Sequence, residues 1–202
     1  MEQEAEGGHL IIVLTGIDGS GKTTAAHALV AAARANGTKA LLLSNYAGRR
    51  RMSLLSARFG VRLPARLADA VECAIRVANV LVSHARARRF PGLVVMDRHL
   101  QCQLALRRTR GLPRGRLLPR LIGALPRPDL VAYLDVSPER AHERIVARGT
   151  DAETLDDLQS LRDAYRSLPE YADFVRIDAD APPAEVLSGL AEATDDAGAL
   201  KV

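Results

Sequence analysis

Short continuous apolar runs alternate with longer amphipathic segments along this chain. The runs at Leu10 to Leu14, Lys39 to Ser44, Leu93 to Met96 and Leu130 to Leu134 are of strand length and lack polar alternation, the pattern of strands covered on both faces, and Phe174 to Ile177 reads as a fifth strand. Helical patterns separate them, at Lys22 to Asn36-Gly37, 65 to 89, Leu100 to Arg110, Leu117 to Ala124, Pro138 to Arg148, Thr154 to Ser167 and Pro183 to Thr194. Asn36-Gly37 suits a helix end, and Ser137-Pro138 suits a start with serine as cap and proline in the first turn. A short helix fits at 53–59. This alternation predicts an α/β fold in which five parallel strands lie between two helical layers. In such sheets ligands bind at the C-terminal strand ends.

The helix expected at 65 to 89 is the longest. Leu67, Val71, Ala74, Ala78, Leu81 and Ala85 fall three and four apart on one face, read here as the core-facing stripe. Ile75, Val80 and Val82 lie outside that stripe. Such surplus apolar surface predicts an interface between two copies of the chain.

Between the first strand and first helix stands Gly16-Ile17-Asp18-Gly19-Ser20-Gly21-Lys22-Thr23-Thr24, a complete G-x-x-x-x-G-K-[ST] motif. Its glycines let successive backbone N–H groups converge at a helix N-terminus, where the helix dipole adds positive potential for phosphate. Lys22 can reach the β and γ phosphates, and the Thr23 hydroxyl can enter the coordination sphere of Mg²⁺. The motif implies the P-loop NTPase form of the three-layer sandwich.

Composition narrows the reading. The 202 residues, 48% hydrophobic, are enough for one well-buried domain, expected at 9–194 between a disordered leader at 1–8 and a polar tail at 195–202. No apolar run reaches the ~20 residues of a membrane span, and the acidic start does not resemble a signal sequence, so a cytoplasmic protein is expected. Cys73 and Cys102 lie in helical segments without metal-like partners and are read as free thiols. The net charge of +4 is unevenly spread: 46–68 holds six arginines and no acid, 98–128 eight arginines and no acid, and 150–202 thirteen acids against four bases. A basic middle attracts anions. With three Phe, four Tyr and no Trp there is little aromatic surface to stack a nucleic-acid strand, which favours a small anionic ligand.

Asp97-Arg98 ends the third apolar run. A carboxylate there can hold Mg²⁺ directly or through water, and the neighbouring guanidinium can clamp a phosphate. Asp18, a carboxylate inside an anion-binding loop, requires a cation or donor beside it, and Mg²⁺, the acceptor and Arg98 are the candidates. Arg144 and Arg148 sit four apart on one helix before Gly149, placed to close a lid at about 144–156 over the transferred group.

These segments resemble the thymidylate kinases. The phosphate loop at 16–24, including Asp18, is similar to that family's loop, as are Val94-Val95-Met96-Asp97-Arg98-His99 with Leu104-Ala105, Leu134-Asp135-Val136-Ser137-Pro138-Glu139-Arg140-Ala141, and the closing region with Tyr165, Tyr171 and Ile177-Asp178-Ala179. The resemblance implies a nucleoside monophosphate kinase using ATP and Mg²⁺, commonly a homodimer. Gly16, Gly19, Ser20, Gly21, Lys22, Thr23, Thr24, Arg144 and Ala179 would then hold ATP, with Ala179 in the adenine loop. Thr23 and Asp97 would hold the metal, and Lys22, Asp18, Arg98 and Arg148 would act in catalysis. Tyr46, Arg76, Arg98 and Gln103 would bind the acceptor, most closely dTMP or a related pyrimidine nucleotide.

Departures from the family pattern bear on the acceptor. Ser44-Asn45-Tyr46-Ala47 with Arg49-Arg50-Arg51 replaces the usual segment after the second strand, Ile75-Arg76 the usual Asp-Arg, His99 the usual Tyr, and Ala152 a usual lid arginine after Asp151. Phosphoryl transfer is therefore better supported than thymidylate as its recipient. A P-loop kinase of a non-nucleotide or modified-nucleotide acceptor is the alternative. A nucleotide-regulated switch is disfavoured by the lack of an Asn-Lys-x-Asp element. The partners expected are ATP and a nucleotide-like acceptor, without membrane or nucleic acid.

Overall fold

The computed structural model describes residues 9–46, 64–149 and 153–199. The expected helix at 53–59, the three arginines at 49 to 51, and Asp151-Ala152 lie outside the described residues. The elements in order are β1 (Leu10–Thr15), α1 (Lys22–Ala35), β2 (Ala40–Ser44), α2 (Ala65–Ala87), β3 (Leu93–Asp97), α3 (Leu100–Thr109), α4 (Leu117–Ala124), β4 (Leu130–Asp135), α5 (Pro138–Arg148), α6 (Leu155–Arg166), a 3₁₀ turn (Pro169–Asp173), β5 (Val175–Asp178) and α7 (Pro183–Ala199). All strand pairs are parallel, in the order β2-β3-β1-β4-β5.

Why β1 is an uninterrupted apolar run is visible in its packing. Ile12 and Leu14 join the larger core cluster, whereas Ile11 and Val13 join a second cluster with Leu43, Val94 and Met96. Successive side chains point to opposite faces, so a strand covered on both must be apolar at every position. The register then sets the strand ends. Leu14 and Ser44 both pair with Asp97, so the exits of β1, β2 and β3 converge, and the phosphate loop, Asn45-Tyr46 and Asp97-Arg98 meet at one edge.

Helix ends follow local chemistry. α1 stops at Asn36 with Gly37 left-handed (φ 80°), and Thr154 and Asp157 form a reciprocal capping box at the start of α6. Ser137 precedes α5 with Pro138 in its first turn, but its hydroxyl donates to Asp180 Oδ1 at 2.8 Å instead of capping the helix. α7 runs on to Ala199, past the expected stop at Thr194, because Ala197 still packs against the core.

The long helix corrects the sequence reading. Leu67, Ala74, Ala78, Leu81 and Ala85 are exposed and Val71 is only half-buried, while Asp69, Glu72, Cys73, Arg76, Val80, Ser83, His84 and Ala87 face inward. Val80, expected among the surplus apolar positions, is core; Ile75 and Val82 are exposed. α2 turns its polar face to the protein because that face finds partners at the ends of β2 and β3, and it leaves its apolar stripe outside.

Candidate active site

The phosphate loop closes over Lys22. An added Cβ on Gly16 would lie 2.7 Å from the Leu134 carbonyl oxygen, and one on Gly19 would fall on the Ala141 backbone, so both positions exclude side chains for packing as well as for their positive φ. Lys22 is 4% exposed and donates to the Ile17 carbonyl and, at 3.1 Å, to Ser20 Oγ. Burial, and then Arg98 nearby, lower its pKa to about 8. Asp18 and Asp97 oppose this only in part, and phosphate oxygens in the loop would add the negative charge that favours the ammonium.

Thr23, at the first turn of α1, donates from Oγ1 to Asp97 Oδ2 at 2.7 Å. The Tyr46 hydroxyl reaches the same Oδ2 at 3.3 Å and lies 3.5 Å from Thr23 Oγ1. Asp97 is fully buried, and its Oδ1 has no hydrogen-bond partner. A buried carboxylate oxygen left without a donor is costly. Together with the adjacent hydroxyl it makes a hard-oxygen pair that fits Mg²⁺. Thr24, like Thr23, is exposed.

Arg98 is the only non-glycine with positive φ among the described residues, at 76°, a conformation costing about 1 kcal/mol. Hydrogen bonds hold it there. Its N–H donates to Leu14 O at 3.0 Å, Asn45 Nδ2 donates to its carbonyl at 2.8 Å, and its guanidinium pairs with Asp18 at 2.5 Å. Among the candidates for Asp18, Arg98 is the partner present. The strained backbone aims the guanidinium across the mouth of the phosphate loop, beside Lys22.

Asn45, read in the sequence only as part of the segment after β2, ties these parts together. It is fully buried, donates its N–H to Asp97 O at 3.0 Å, accepts from Ser83 Oγ at 2.7 Å, and takes a guanidinium N–H of Arg76 on its carbonyl at 3.3 Å. Arg76, 2% exposed, also donates from Nε to Gln103 Oε1 at 3.2 Å. Gln103 Nε2 in turn donates to Asp69 Oδ1 at 2.9 Å. The two expected base-reading residues thus form a single buried hydrogen-bonded pair. Asp69 and Glu72 in that wall were missed, because acids on the inward face of a helix read as surface charge until their partners Arg107 and Arg110 are known.

His84 and His99 form a second buried pair, Nε2 to Nε2 at 3.0 Å, and His99 Nδ1 lies 2.7 Å from Gln101 Oε1. The glutamine oxygen can only accept, so His99 donates from Nδ1 and accepts at Nε2 from His84. Burial lowers both pKa values, that of His99 to about 4. Cys102, also buried, sits 3.3 Å from Thr15 Oγ1.

On the far side of the loop, Arg144 spans two carbonyls, Ala179 O at 3.0 Å and Gly19 O at 3.4 Å. It therefore bridges the phosphate loop to the segment after β5. Arg148 is exposed and donates to Arg144 O at 3.3 Å. Thr23, Tyr46, Asp97, Asp18 and Arg98 thus meet at one edge of the sheet, to which Arg76, Gln103 and Arg144 are tied by the bonds above.

Comparison with known proteins agrees with this arrangement. The Thymidylate kinase family model matches residues 14–189. A thymidylate kinase of Xanthomonas euvesicatoria pv. vesicatoria is 33% identical over 177 residues, covering 83% of this chain and 76% of that protein. A probable thymidylate kinase of Archaeoglobus fulgidus is 30% identical over 188 residues, covering 88% and 90%. With the phosphate loop, the Thr23–Asp97 pair and the Asp18-bound Arg98 on the same edge that the family match spans, this chain belongs to the thymidylate kinase family, the nucleoside monophosphate kinases of the P-loop fold.

Proposed function

We propose that this protein transfers the γ-phosphoryl group of ATP to dTMP, giving dTDP and ADP. One chain of contacts carries the reading: Arg98 is held through its guanidinium by Asp18 of the phosphate loop and through its carbonyl by Asn45, and Asn45 in turn accepts from Arg76, the partner of Gln103. That chain ties a phosphate-clamping guanidinium to the Arg76–Gln103 pair, which suits a monophosphate at Arg98 and a pyrimidine beside the pair. The names of the relatives, thymidylate kinases, point to the same acceptor.

Thr23 and Asp97 would hold Mg²⁺, which neutralises charge on the β and γ phosphates when bound. The loop amides and Lys22 cradle the ATP phosphates. Arg98 orients the acceptor phosphate so that one of its oxygens attacks the γ phosphorus in line with the β–γ bridging oxygen. The new O–P bond forms as the bridging bond breaks, and ADP leaves with that electron pair. No protein nucleophile takes part, so the rate comes from positioning and charge neutralisation. Tyr46 sits over Thr23 and Asp97 at the acceptor side. Arg144 fixes the adenine-side segment at Ala179 to the loop, and Arg148, on the lid at 144–156, swings over the transferred group once ATP is bound. The protein works in the cytoplasm as a homodimer paired through the exposed apolar face of α2. The kinase unit begins at residue 9 and reaches the end of α7 at Ala199.

The test is direct. Purified protein with ATP, Mg²⁺ and dTMP, and no nucleic acid, should release dTDP and ADP in equal amounts. Turnover of a non-nucleotide acceptor with none of dTMP would replace this reading.

A further inference from the structure

The side chain of Tyr46 is committed to the metal corner of the site. Its hydroxyl lies 3.3 Å from Asp97 Oδ2 and 3.5 Å from Thr23 Oγ1, and a 2.7 Å bond joins those two oxygens. The phenol oxygen is thus nearly equidistant from one oxygen of each residue proposed to hold Mg²⁺. Its backbone is tied elsewhere. Asn79 Nδ2, on α2, donates to the Tyr46 carbonyl at 2.7 Å, and the preceding carbonyl, of Asn45, accepts from Arg76 at 3.3 Å. The segment is therefore pinned to α2, and from there the ring reaches across to the first turn of α1 and the end of β3.

The two hydroxyls are not equivalent partners of a metal carboxylate. Thr23 can give its proton to Asp97 and still offer a lone pair to a cation, because a hydroxyl has one donor and two acceptor sites. The phenol donates to Oδ2 as well. Each proton aimed at an ionised carboxylate takes up a lone pair and part of the charge that would attract Mg²⁺. The other oxygen, Oδ1, has no hydrogen-bond partner, so both donors crowd the same atom. Tyr46 is 47% exposed, and its ring can leave the carboxylate at little cost in packing.

We propose that Tyr46 is a positioning residue that competes with Mg²⁺ for Asp97: its phenol occupies the carboxylate, and metal loading displaces it. Nucleotide without metal leaves the phenol in place. The inference rests on the reading of Thr23 and Asp97 as the metal pair.

Calorimetry of ADP binding, with saturating Mg²⁺ and with EDTA, gives the factor by which metal strengthens binding. In Tyr46→Phe that factor should rise about threefold or more, with the metal-free ADP affinity within about twofold of wild type. In an Asp97→Asn background, where the contested charge is gone, Tyr46→Phe should leave the factor in place. A second readout is optical. The chain has four Tyr and no Trp, so its tyrosine emission is read directly, and a hydrogen bond to a carboxylate quenches that emission. Adding Mg²⁺ to the ADP complex should raise the emission of the wild type and not that of Tyr46→Phe. A factor that stays level in Tyr46→Phe makes the contact mere packing, and a factor that falls makes the phenol a helper of the metal; either overturns the inference. So does a wild-type emission that Mg²⁺ leaves unchanged, or a factor that still rises in the Asp97→Asn background. A wild type whose ADP affinity ignores Mg²⁺ overturns the metal reading together with the inference.

Discussion

Thr23 and Asp97 stand 74 positions apart in sequence and meet through one 2.7 Å hydrogen bond. The bond uses Oδ2 of Asp97 and leaves Oδ1 buried without a partner. Asp97→Asn keeps the shape and can still accept from Thr23, so the fold should persist. The lost charge falls on the proposed metal site. Turnover should drop about 100-fold or more and the Mg²⁺ requirement should rise, in the range seen when a single transition-state electrostatic group is removed. A Mg²⁺ titration of steady-state rates, with circular dichroism as the control for folding, checks it.

The phosphate loop was legible because its chemistry is contiguous, with glycines, lysine and threonine at fixed offsets within nine residues. The pair of strand-end residues Asp97 and Arg98 was legible because an apolar run points to its own end. What joins them was not. The bond from Asn45 to Ser83 spans 38 positions and that from Asn45 to Arg98 spans 53; the first depends on how α2 packs at the end of β2, the second on the register of β2 against β3. The inverted α2 teaches the same lesson in another form. Periodicity shows which residues share a face, but the direction of that face is decided by where Asp69, Arg76 and Ser83 find partners.

Lys22 links the loop's function to a cost in stability. In the ligand-free protein its pKa is lowered by burial, and then by Arg98, to about 8 from 10.5. Between those values the unfolded chain carries a proton that the folded chain has released, so stability rises with pH across that window. Lys22→Met has no such group. Relative to that variant, the ligand-free wild type should gain stability from pH 8 to pH 10.5, on the order of 3 kcal/mol. Denaturant unfolding across this range measures it. The variant should also lose turnover by about 1000-fold or more and show no thermal shift with ATP.

Acid should act through the histidine pair. Burial lowers the pKa of His99 to about 4 from 6.5, opposed by its bond to Gln101, and burial lowers that of His84 as well. Here too the unfolded chain binds the extra proton, so stability falls as pH drops from 6.5 to 4. The second proton is the damaging one, because His84 and His99 share a single hydrogen through their Nε2 atoms. The groups facing them include Arg76 and Arg88, which oppose protonation, and no carboxylate contributes to either shift. His84→Gln with His99→Phe should flatten the acid limb of a stability profile by about 3 kcal/mol. Thermal unfolding between pH 4 and pH 6.5 checks the slope, which would stay unchanged if carboxylates elsewhere governed it.

The outward face of α2 bears on assembly. Leu67 is 49% exposed, Ile75 36%, Leu81 45% and Val82 58%, and with Ala74, Ala78 and Ala85 they form one stripe along the 23-residue helix. A side chain such as leucine or valine gains about 1.5–3 kcal/mol on full burial. A stripe on one straight helix can meet its own copy across a two-fold axis, where each residue faces an equivalent surface. The small residues between the larger ones allow close approach. Light scattering at micromolar concentration should therefore give the mass of a dimer, and Leu81→Asp with Val82→Asp should give a folded monomer, since neither side chain contributes to the core. A wild type that scatters as a monomer would leave the stripe without its partner. The same variant tests whether assembly reaches the site. Glu72, Arg76 and Ser83 lie on the opposite face of the same helix, so a monomer that keeps its turnover rate but loses acceptor affinity would show that pairing holds α2 against the ends of β2 and β3.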